Sequence, residues 1–186
     1  MLRPALPPSD VLVITLAAGL AVRAALVQVE PRVTVDLKWP NDVLIKGRKV
    51  CGILAEMHAE VMRVRNIVVG IGLNVNQKSF PKEIENEATS LRMETGSECS
   101  RVEVAAALLK SLDREYRALV EQPETPQSIL RRFAEESSWA RGKKVYIEES
   151  APRIEGSTEG LDAQGFLQVR TAQGLQRILS GTVRAK

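Results

Sequence analysis

Residues 38–53 have the sequence KWPNDVLIKGRKVCGI, and the order of apolar and turn residues in this stretch decides the local fold. An apolar run at 43–45 and a longer run that starts at Val50 flank Lys46-Gly47-Arg48. A glycine between two such runs is typical of a hairpin, because glycine adopts the positive φ angles that tight turns require. The sequence therefore predicts a β-hairpin with strands at 43–45 and 50–60 and with Gly47 at the turn.

The polar residues of the same stretch are spaced so that they can meet. Lys38 precedes the hairpin and Lys49 lies on its return arm, so two ammonium groups approach one place, with Asp42 beside the bend. Paired ammonium groups suit a polyphosphate, or the charge that develops on an acyl or phosphoryl oxygen. Gly52 allows a ligand close to the backbone, and Trp39 offers a ring on which a base can stack. Solvated lysines and a core tryptophan are the alternative, and spacing alone leaves both open.

A second motif, NIVVGIGLNVN at 66–76, is apolar on both faces until its end and predicts a central strand. Gly70 and Gly72 weaken a strand unless something must come close to its backbone. Asn74 and Asn76 carry two amides on one face where the strand ends, and amides can donate to phosphate or accept from a ribose. A plain strand followed by an asparagine-rich turn is the alternative.

The start of the chain predicts a helix followed by a strand. The apolar run at 11–22 predicts a buried helix, with Ser9 as its N-cap and Glu30-Pro31 as its end. This run is too short for a membrane span, and Arg23 lies where a signal peptide would be cleaved. Residues 32–37 alternate apolar and polar side chains, which predicts a strand.

The second half predicts two helices and then a change of architecture. A 3.6-residue apolar period predicts a helix at 101–121 capped by Ser100, and a shorter helix is predicted at 128–138. Short alternating segments follow from 139 to 186, with turns between them, and predict a small SH3-like β-barrel. We therefore expect two domains, at 1–138 and 139–186.

Composition excludes several classes of function. The 186 residues carry a net charge of +3, which is too small to indicate a nucleic-acid-binding protein. The cysteines, Cys51 and Cys99, and the single histidine, His58, lack the spacing of a zinc site. Free thiols in a reducing cytosol are the simplest interpretation, so we expect a cytoplasmic protein without a membrane or nucleic-acid partner.

The order and spacing of several motifs resemble a known family. KWPNDVLIKGRKVCGILAE, NIVVGIGLNVN, FP and ATSL, in this order, resemble the catalytic core of biotin protein ligases, and the tail GLQRILSGTVRA resembles the family's C-terminal SH3-like domain. The resemblance implies an α+β fold with a mixed sheet packed against helices, of the class II synthetase type, and a small C-terminal barrel. Thr182 departs from the family pattern, which more often has an acidic residue there.

The resemblance also implies a reaction. Biotin and MgATP give biotinyl-5′-AMP and pyrophosphate, and a lysine of the biotin carboxyl carrier protein of acetyl-CoA carboxylase then accepts the biotinyl group. ATP, Mg²⁺ and biotin are the implied cofactors and substrate. The family often dimerises through its central sheet, so a homodimer is among the expected assemblies.

Carried onto this sequence, the family's pattern assigns the site residues. Lys49 would be the central catalytic lysine at the acyl and α-phosphate oxygens, and Asp42 would lie where the acceptor amine arrives. Magnesium would enter with ATP near Asn74, and no protein metal site is expected. Lys46 and Arg48 would be solvated hairpin residues. The other implied substrate- or nucleotide-binding residues are Lys38, Trp39, Asn41, Gly52, Asn74, Asn76, Thr89 and Ser90.

One family feature has no match in this sequence. Family members carry a Ser/Thr-rich segment and an Arg/Gly-rich loop of the form G-R-G-R-x-G-R-x-W before the region seen here, and the resemblance therefore implies a ligase without its N-terminal part and with impaired activity. The alternatives are a non-catalytic module that binds nucleotide or carrier protein, and a lipoate-ligase-like enzyme.

Overall fold

Four helices and two β-sheets make up the part of the chain that the computed structural model describes, which comprises residues 2, 11–60, 63–122, 125–148, 150 and 153–186. The α+β class that the sequence predicts is confirmed. The elements are α1 (Val11–Val29), β1 (Val35–Lys38), β2 (Asp42–Ile45), β3 (Arg48–Glu60), β4 (Arg63–Leu73), α2 (Leu91–Thr95), α3 (Arg101–Glu121), α4 (Thr125–Glu135), β5 (Arg141–Ile147), β6 (Glu155–Leu161), β7 (Leu167–Thr171), β8 (Gly174–Ile178) and β9 (Val183–Ala185).

The first sheet has the strand order β1-β2-β3-β4 and contains the predicted hairpin as β2 and β3. Lys46 and Gly47 form its turn with φ angles of 50° and 77°, as the type I′ geometry of two-residue hairpins requires. The implied mixed sheet is antiparallel between all its described strands, because short connections can join neighbouring strands only in that way. The parallel pairing found here is an isolated bridge between Lys49 and Ala88.

The position predicted for the second motif needs correction. Its strand, β4, pairs with β3 and forms an edge of the described sheet, beyond which only Leu2 makes an isolated bridge to Ile67. Apolar residues on both faces suggested a central strand, but one face of β4 packs on the core through Ile67 while Val68 on the other face is 43% exposed. An apolar run therefore does not by itself distinguish a central strand from an edge strand.

Helix α1 forms the centre of the core. It begins at Val11 among the described residues and ends at Val29, just before the predicted stop; the predicted cap Ser9 lies outside the described residues. At 19 residues it is longer than the predicted run and apolar enough to cross a membrane by composition alone, but most of it is buried against the sheet and the other helices. Arg23 is accommodated by an ion pair with Glu136 at 2.7 Å. In this structure α1 is the core helix that the sequence predicts.

The second half of the chain follows the predicted pattern. Helix α3 spans 101–121, and the Ser100 side chain caps it by accepting a hydrogen bond from the Glu103 backbone. Helix α4 starts at Thr125, a little earlier than predicted. The following strands form a five-stranded antiparallel sheet of order β8-β7-β6-β5-β9. Its SH3-like character and the domain boundary at 138 stay predictions.

Candidate active site

Lys49 and Asp42 lie together on one face of the first sheet. The Lys49 Nζ is 2.5 Å from Asp42 Oδ1, and their side chains are 46% and 19% exposed. Asp42 is the register partner of Gly52, and a Cβ atom on Gly52 would lie 2.9 Å from the Lys49 Cε and 3.0 Å from its Nζ. The absence of a side chain at Gly52 therefore makes room for the Lys49 amine beside Asp42.

The backbone of Lys49 is held by the segment that precedes α2. Its N–H donates to the carbonyl of Glu87 at 2.7 Å, and its carbonyl accepts from the N–H of Thr89 at 2.9 Å. This parallel bridge fixes the strand from which the Lys49 side chain extends. The amine is thus placed by β2, by β3 and by a loop from a distant part of the sequence.

A surface that includes three glycines extends from Lys49 along β3 and β4. Gly52 and Gly72 are register partners, and Gly70 pairs with Leu54 two residues along the same face. A Cβ on Gly70 or Gly72 would meet only backbone oxygens at 3.7 Å, so this face is open, and Leu54 is 62% exposed on it. We call Gly52, Gly70 and Gly72 the glycine platform, where a flat ligand can approach the backbone closely.

On the other side of Lys49 lies a cleft of about 760 Å³ between the first sheet and the C-terminal strands. Lys38, Asp42 and Lys49 line it from the first sheet, and Trp139 and Arg184 line it from the C-terminal part. The cleft therefore combines three cationic side chains with an aromatic ring, which is a composition suited to an anionic ligand.

Arg184 connects the two walls of this cleft. Its guanidinium contacts Glu87 at 2.8 Å and Glu148 at 3.0 Å. These hydrogen bonds raise the pKa of Arg184, and the bond from Arg184 likewise lowers the pKa of Glu87. Since the Glu87 carbonyl also holds the Lys49 backbone, β9 is linked to Lys49 through one residue.

The structure contradicts the prediction that a base can stack on the ring of Trp39. Its side chain is 2% exposed, and its indole N–H donates to the Gly165 carbonyl at 2.9 Å, which ties β1 to the C-terminal sheet. A ring buried to this extent cannot present a face to a base. Asn41 borders the cleft, but its side-chain amide donates to the Ile53 carbonyl at 2.8 Å and so extends the sheet.

The residues implied for the nucleotide farther along the chain make internal contacts. Asn76 donates to and accepts from the backbone of Cys99, and Asn74 donates to the Thr89 carbonyl at 3.1 Å. Thr89 and Ser90 are both 0% exposed. Ser90 caps α2, and Thr89 donates to Glu94. The structure therefore brings together five of the predicted site residues, which are Lys38, Asn41, Asp42, Lys49 and Gly52. Asn74, Thr89 and Ser90 instead support the loop behind Lys49, and Asn76 holds the backbone of Cys99.

Glu94 is a central residue of the site that sequence patterns did not indicate. Its side chain is 1% exposed and contacts Lys46 at 3.0 Å, Arg48 at 2.5 Å and Thr89 at 2.6 Å. Lys46 and Arg48 were expected to be solvated, and the Lys46 side chain is 72% exposed, but both also bond to this buried carboxylate. Burial alone would raise the pKa of Glu94, yet the hydrogen bonds from Thr89, Lys46 and Arg48 together lower it. Glu94 therefore fixes the hairpin turn to α2, next to Lys49.

Replacement of Glu94 by glutamine should destabilise the fold by about 1–3 kcal/mol, because a buried charged acceptor of several hydrogen bonds is lost. Since the folded state lowers the pKa of Glu94 below its ordinary value of 4.5, this contribution is complete above that pH and is lost as the pH falls through the lower folded value. The difference in unfolding free energy between wild type and Glu94→Gln, measured in urea, should shrink below pH 4.5. Glu98→Gln is the matched control, because its pair with Arg92 is on the surface and should contribute less than about 1 kcal/mol. Equal losses in both variants would contradict this role of Glu94.

Neither a disulfide nor a cluster of metal-ligating side chains is found among the described residues. Both cysteines are free, and burial raises the pKa of the Cys51 thiol to about 12, so Cys51 is an unreactive core residue. The described residues contain no cluster of three or more histidine, cysteine, aspartate or glutamate side chains that could hold a metal ion. Asn74 alone does not make a protein site for Mg²⁺, which normally binds carboxylates together with substrate phosphates.

Comparisons with known proteins show which sequences this chain resembles. Residues 3–74 match the biotin/lipoate A/B protein ligase family, and residues 142–184 match the biotin protein ligase C-terminal domain. The bifunctional ligase/repressor BirA of Bacillus spizizenii is 35% identical over 98% of this chain and 56% of its own length. The biotin–[acetyl-CoA-carboxylase] ligase of Paracoccus denitrificans is 30% identical, over 91% of this chain and 71% of its own length.

A solved structure of a biotin protein ligase has a similar fold. The biotin protein ligase from Aquifex aeolicus in complex with biotin and ATP superimposes with a TM-score of 0.81 at 32% identity, covering 95% of this chain and 73% of that one. The chain thus spans little more than half of the Bacillus relative but most of the Paracoccus and Aquifex proteins. On these matches in sequence and in fold, the chain belongs to the biotin protein ligase family.

Proposed function

We propose that this chain activates biotin with MgATP as biotinyl-5′-AMP and transfers the biotinyl group to a lysine of a biotin carboxyl carrier protein. The observation that carries the proposal is the position of the Lys49 amine, which lies where the open glycine platform meets the cationic cleft. Gly52, Gly70 and Gly72 leave room for a ring of a substrate close to the backbone, and the cations of the cleft suit a triphosphate. The atoms that must react would then meet beside Lys49.

In the first step, a carboxylate oxygen of biotin attacks the α-phosphorus of ATP and pyrophosphate leaves. Negative charge builds on the phosphoryl oxygens in the transition state, and a fixed ammonium group stabilises it. We assign this role to Lys49, whose backbone is held on both sides and whose amine is oriented by Asp42. Magnesium is part of the MgATP substrate here, held mainly by the phosphates.

In the second step, the neutral ε-amine of the carrier lysine attacks the acyl carbon of the adenylate. The new amide bond forms, the bond from the acyl carbon to the AMP oxygen breaks, and the amine loses a proton. Asp42 is the carboxylate in contact with Lys49, and we assign it the orientation of the incoming amine and acceptance of its proton. It lies on the wall of the cleft, which leaves a path for the carrier lysine.

The names of the relatives limit the proposal. The name of the Paracoccus ligase suggests the carrier protein of acetyl-CoA carboxylase as the partner. The Bacillus protein is named as a ligase and a repressor, and we propose only the ligase activity for this chain. A homodimer and a cytoplasmic location stay predictions. The 186 residues contain no match to the family's Arg/Gly-rich loop, so we expect the adenylate to be poorly shielded from water.

The test is an assay of the two steps with the purified chain. With ATP, Mg²⁺, biotin and a biotin carboxyl carrier domain, the carrier should gain the mass of one biotinyl group. Without carrier, pyrophosphate release should continue slowly as adenylate is lost to hydrolysis. A carrier variant that lacks the target lysine is the control and should gain no mass.

The alternatives have distinct outcomes in the same assay. ATP binding without pyrophosphate release would show a non-catalytic module and would overturn the proposal. Lipoate accepted in place of biotin, at a higher kcat/KM, would make the chain a lipoate ligase.

A further inference from the structure

Lys38 is the cation of the cleft whose charge lacks a carboxylate partner. It is 9% exposed, and its ammonium group lies 4.8 Å from the centre of the Trp139 ring. Lys49 is paired with Asp42 and Arg184 with Glu87, whereas none of the described carboxylates forms an ion pair with Lys38. A mostly buried ammonium that faces a cleft, with none of the described carboxylates at ion-pair distance, favours binding of an anion.

The surroundings of Lys38 work against its charge. Burial lowers the pKa of Lys38; Asp42 and Glu87 oppose this effect, and Arg184 and Lys49 add to it. The face of an aromatic ring attracts a cation, most strongly where water is excluded. Trp139 therefore helps to keep Lys38 protonated and facing the cleft.

Trp139 is held beside Lys38 by a set of hydrogen bonds. Ser137 Oγ donates to the Leu37 carbonyl at 2.6 Å, and Ser138 donates from its backbone and its hydroxyl to the two oxygens of Asp36 at 2.9 and 2.6 Å. Residues 137 and 138 are thus bound to residues 37 and 36 of β1, so that Trp139 comes next to Lys38. We call residues 137–140 the clasp turn.

A second cation lies over the same ring. The Lys143 ammonium is 5.1 Å from the centre of the Trp139 ring, and the Lys143 N–H donates to Thr158 Oγ1 at 3.0 Å. The ring thus carries one lysine from the first sheet and one from the C-terminal sheet. This arrangement extends the positive charge of the cleft toward the C-terminal part.

We propose that Trp139 is a positioning residue of the cleft, whose ring holds the Lys38 ammonium toward the phosphate groups of a bound nucleoside triphosphate. The identity of the nucleotide rests on the proposed function; the positioning of Lys38 by Trp139 rests on the geometry of the cleft. The motifs that carry the family resemblance do not include Trp139.

Binding of ATP and of inorganic pyrophosphate without biotin tests the proposal directly, by calorimetry on the full chain. Trp139→Leu should weaken binding of both probes about tenfold, and Trp139→Phe, which keeps a weaker aromatic face, should weaken it about two- to threefold. Lys38→Met should weaken binding by at least as much. In the Lys38→Met background, Trp139→Leu should have no further effect, because the residue through which it acts is gone.

The pH dependence provides a readout that a merely structural role would not change. Loss of the ring should lower the pKa of Lys38 further, so the alkaline limb of ATP affinity should move to lower pH in Trp139→Leu and move less in Trp139→Phe. The other charged groups that face Lys38 are Asp42, Lys49, Glu87 and Arg184, and they are the same in all these variants. Phe166→Leu is the matched control, because it removes a cation–π pair with Arg177, which belongs to the C-terminal sheet and does not line the cleft. It should leave affinity and its pH limb unchanged.

The outcomes separate this inference from the proposed function. Additive effects of Trp139→Leu and Lys38→Met, an unmoved alkaline limb, or no binding of either probe to the wild type would overturn the inference. Coupled effects on binding without any carrier biotinylation would support the role of Trp139 and contradict the ligase activity. If Trp139→Leu does not fold, Trp139→Phe provides the test. It should weaken binding in the wild-type background and have no effect on binding in the Lys38→Met background.

Discussion

Lys49→Met is expected to lower the rate of biotinyl-adenylate formation by about 10²- to 10³-fold, the range observed when one preorganised charge-stabilising group is removed from an active site. Methionine keeps much of the side-chain length but removes the ammonium group. The amine lies 2.5 Å from Asp42, so the change also frees that carboxylate. Pyrophosphate release with saturating ATP and biotin measures the first step.

The second step can be measured separately. Supplied with synthetic biotinyl-5′-AMP and carrier domain, Lys49→Met should transfer the biotinyl group more slowly, because charge also develops on the acyl oxygen when the amine attacks. Lys110→Met is the matched control; Lys110 is exposed on α3 and does not line the cleft, so its loss should leave both rates unchanged. Wild-type rates in Lys49→Met would remove Lys49 from the mechanism.

Gly52→Ala is expected to lower ligase activity about 100-fold with little change in stability. The added Cβ would lie 2.9 Å from the Lys49 Cε and 3.0 Å from its Nζ, which is closer than real contacts allow. Lys49 can yield by rotating into solvent, and alanine is favoured over glycine within a strand by about 0.5–1 kcal/mol, so the fold should survive. The displaced amine no longer lies beside the reacting atoms, and a shift of about 1 Å can cost 10²-fold in rate.

Alanine substitutions at two other glycines are the controls for this prediction. In Gly156→Ala the new Cβ would meet the Arg170 carbonyl oxygen at 2.1 Å, a backbone clash that should destabilise the protein and lower activity only through unfolding. In Gly19→Ala the Cβ would make ordinary contacts, the nearest at 3.6 Å to Phe133, so stability and activity should both be retained. Thermal unfolding and carrier labelling, measured together, distinguish the three variants. Full activity in a folded Gly52→Ala protein would show that the position of the Lys49 amine is not limiting.

Local sequence patterns correctly predicted the elements that are stabilised by residues close to one another in the sequence. The apolar period at 101–121 with its cap at Ser100, and the glycine turn between β2 and β3, were found where they were expected. The grouping of Lys38, Asp42, Lys49 and Gly52 also followed from strand spacing, because neighbouring strands bring such residues together.

Contacts between distant residues were not predictable in this way. Trp39 appeared suited to stack on a base, but its N–H bonds to Gly165, which is 126 positions away. Asn76 appeared suited to bind phosphate, but its amide bonds to Cys99. Glu94 lies in the short helix α2, which no sequence pattern predicted, and its importance depends on burial by a loop and a hairpin turn together. In each case a polar group gains a protein partner that only the tertiary fold supplies.

The clasp turn has a consequence for the order in which the molecule is made. Its hydrogen bonds join β1 to residues about 100 positions later, and closing so long a loop is entropically unfavourable until the elements between have formed. During synthesis on the ribosome, β1 and the hairpin emerge early, but Lys38 gains its aromatic neighbour only after the clasp turn has left the exit tunnel. The cleft is therefore among the last parts of the chain to mature, and a nascent chain should carry Lys49 well before the cleft around it is complete.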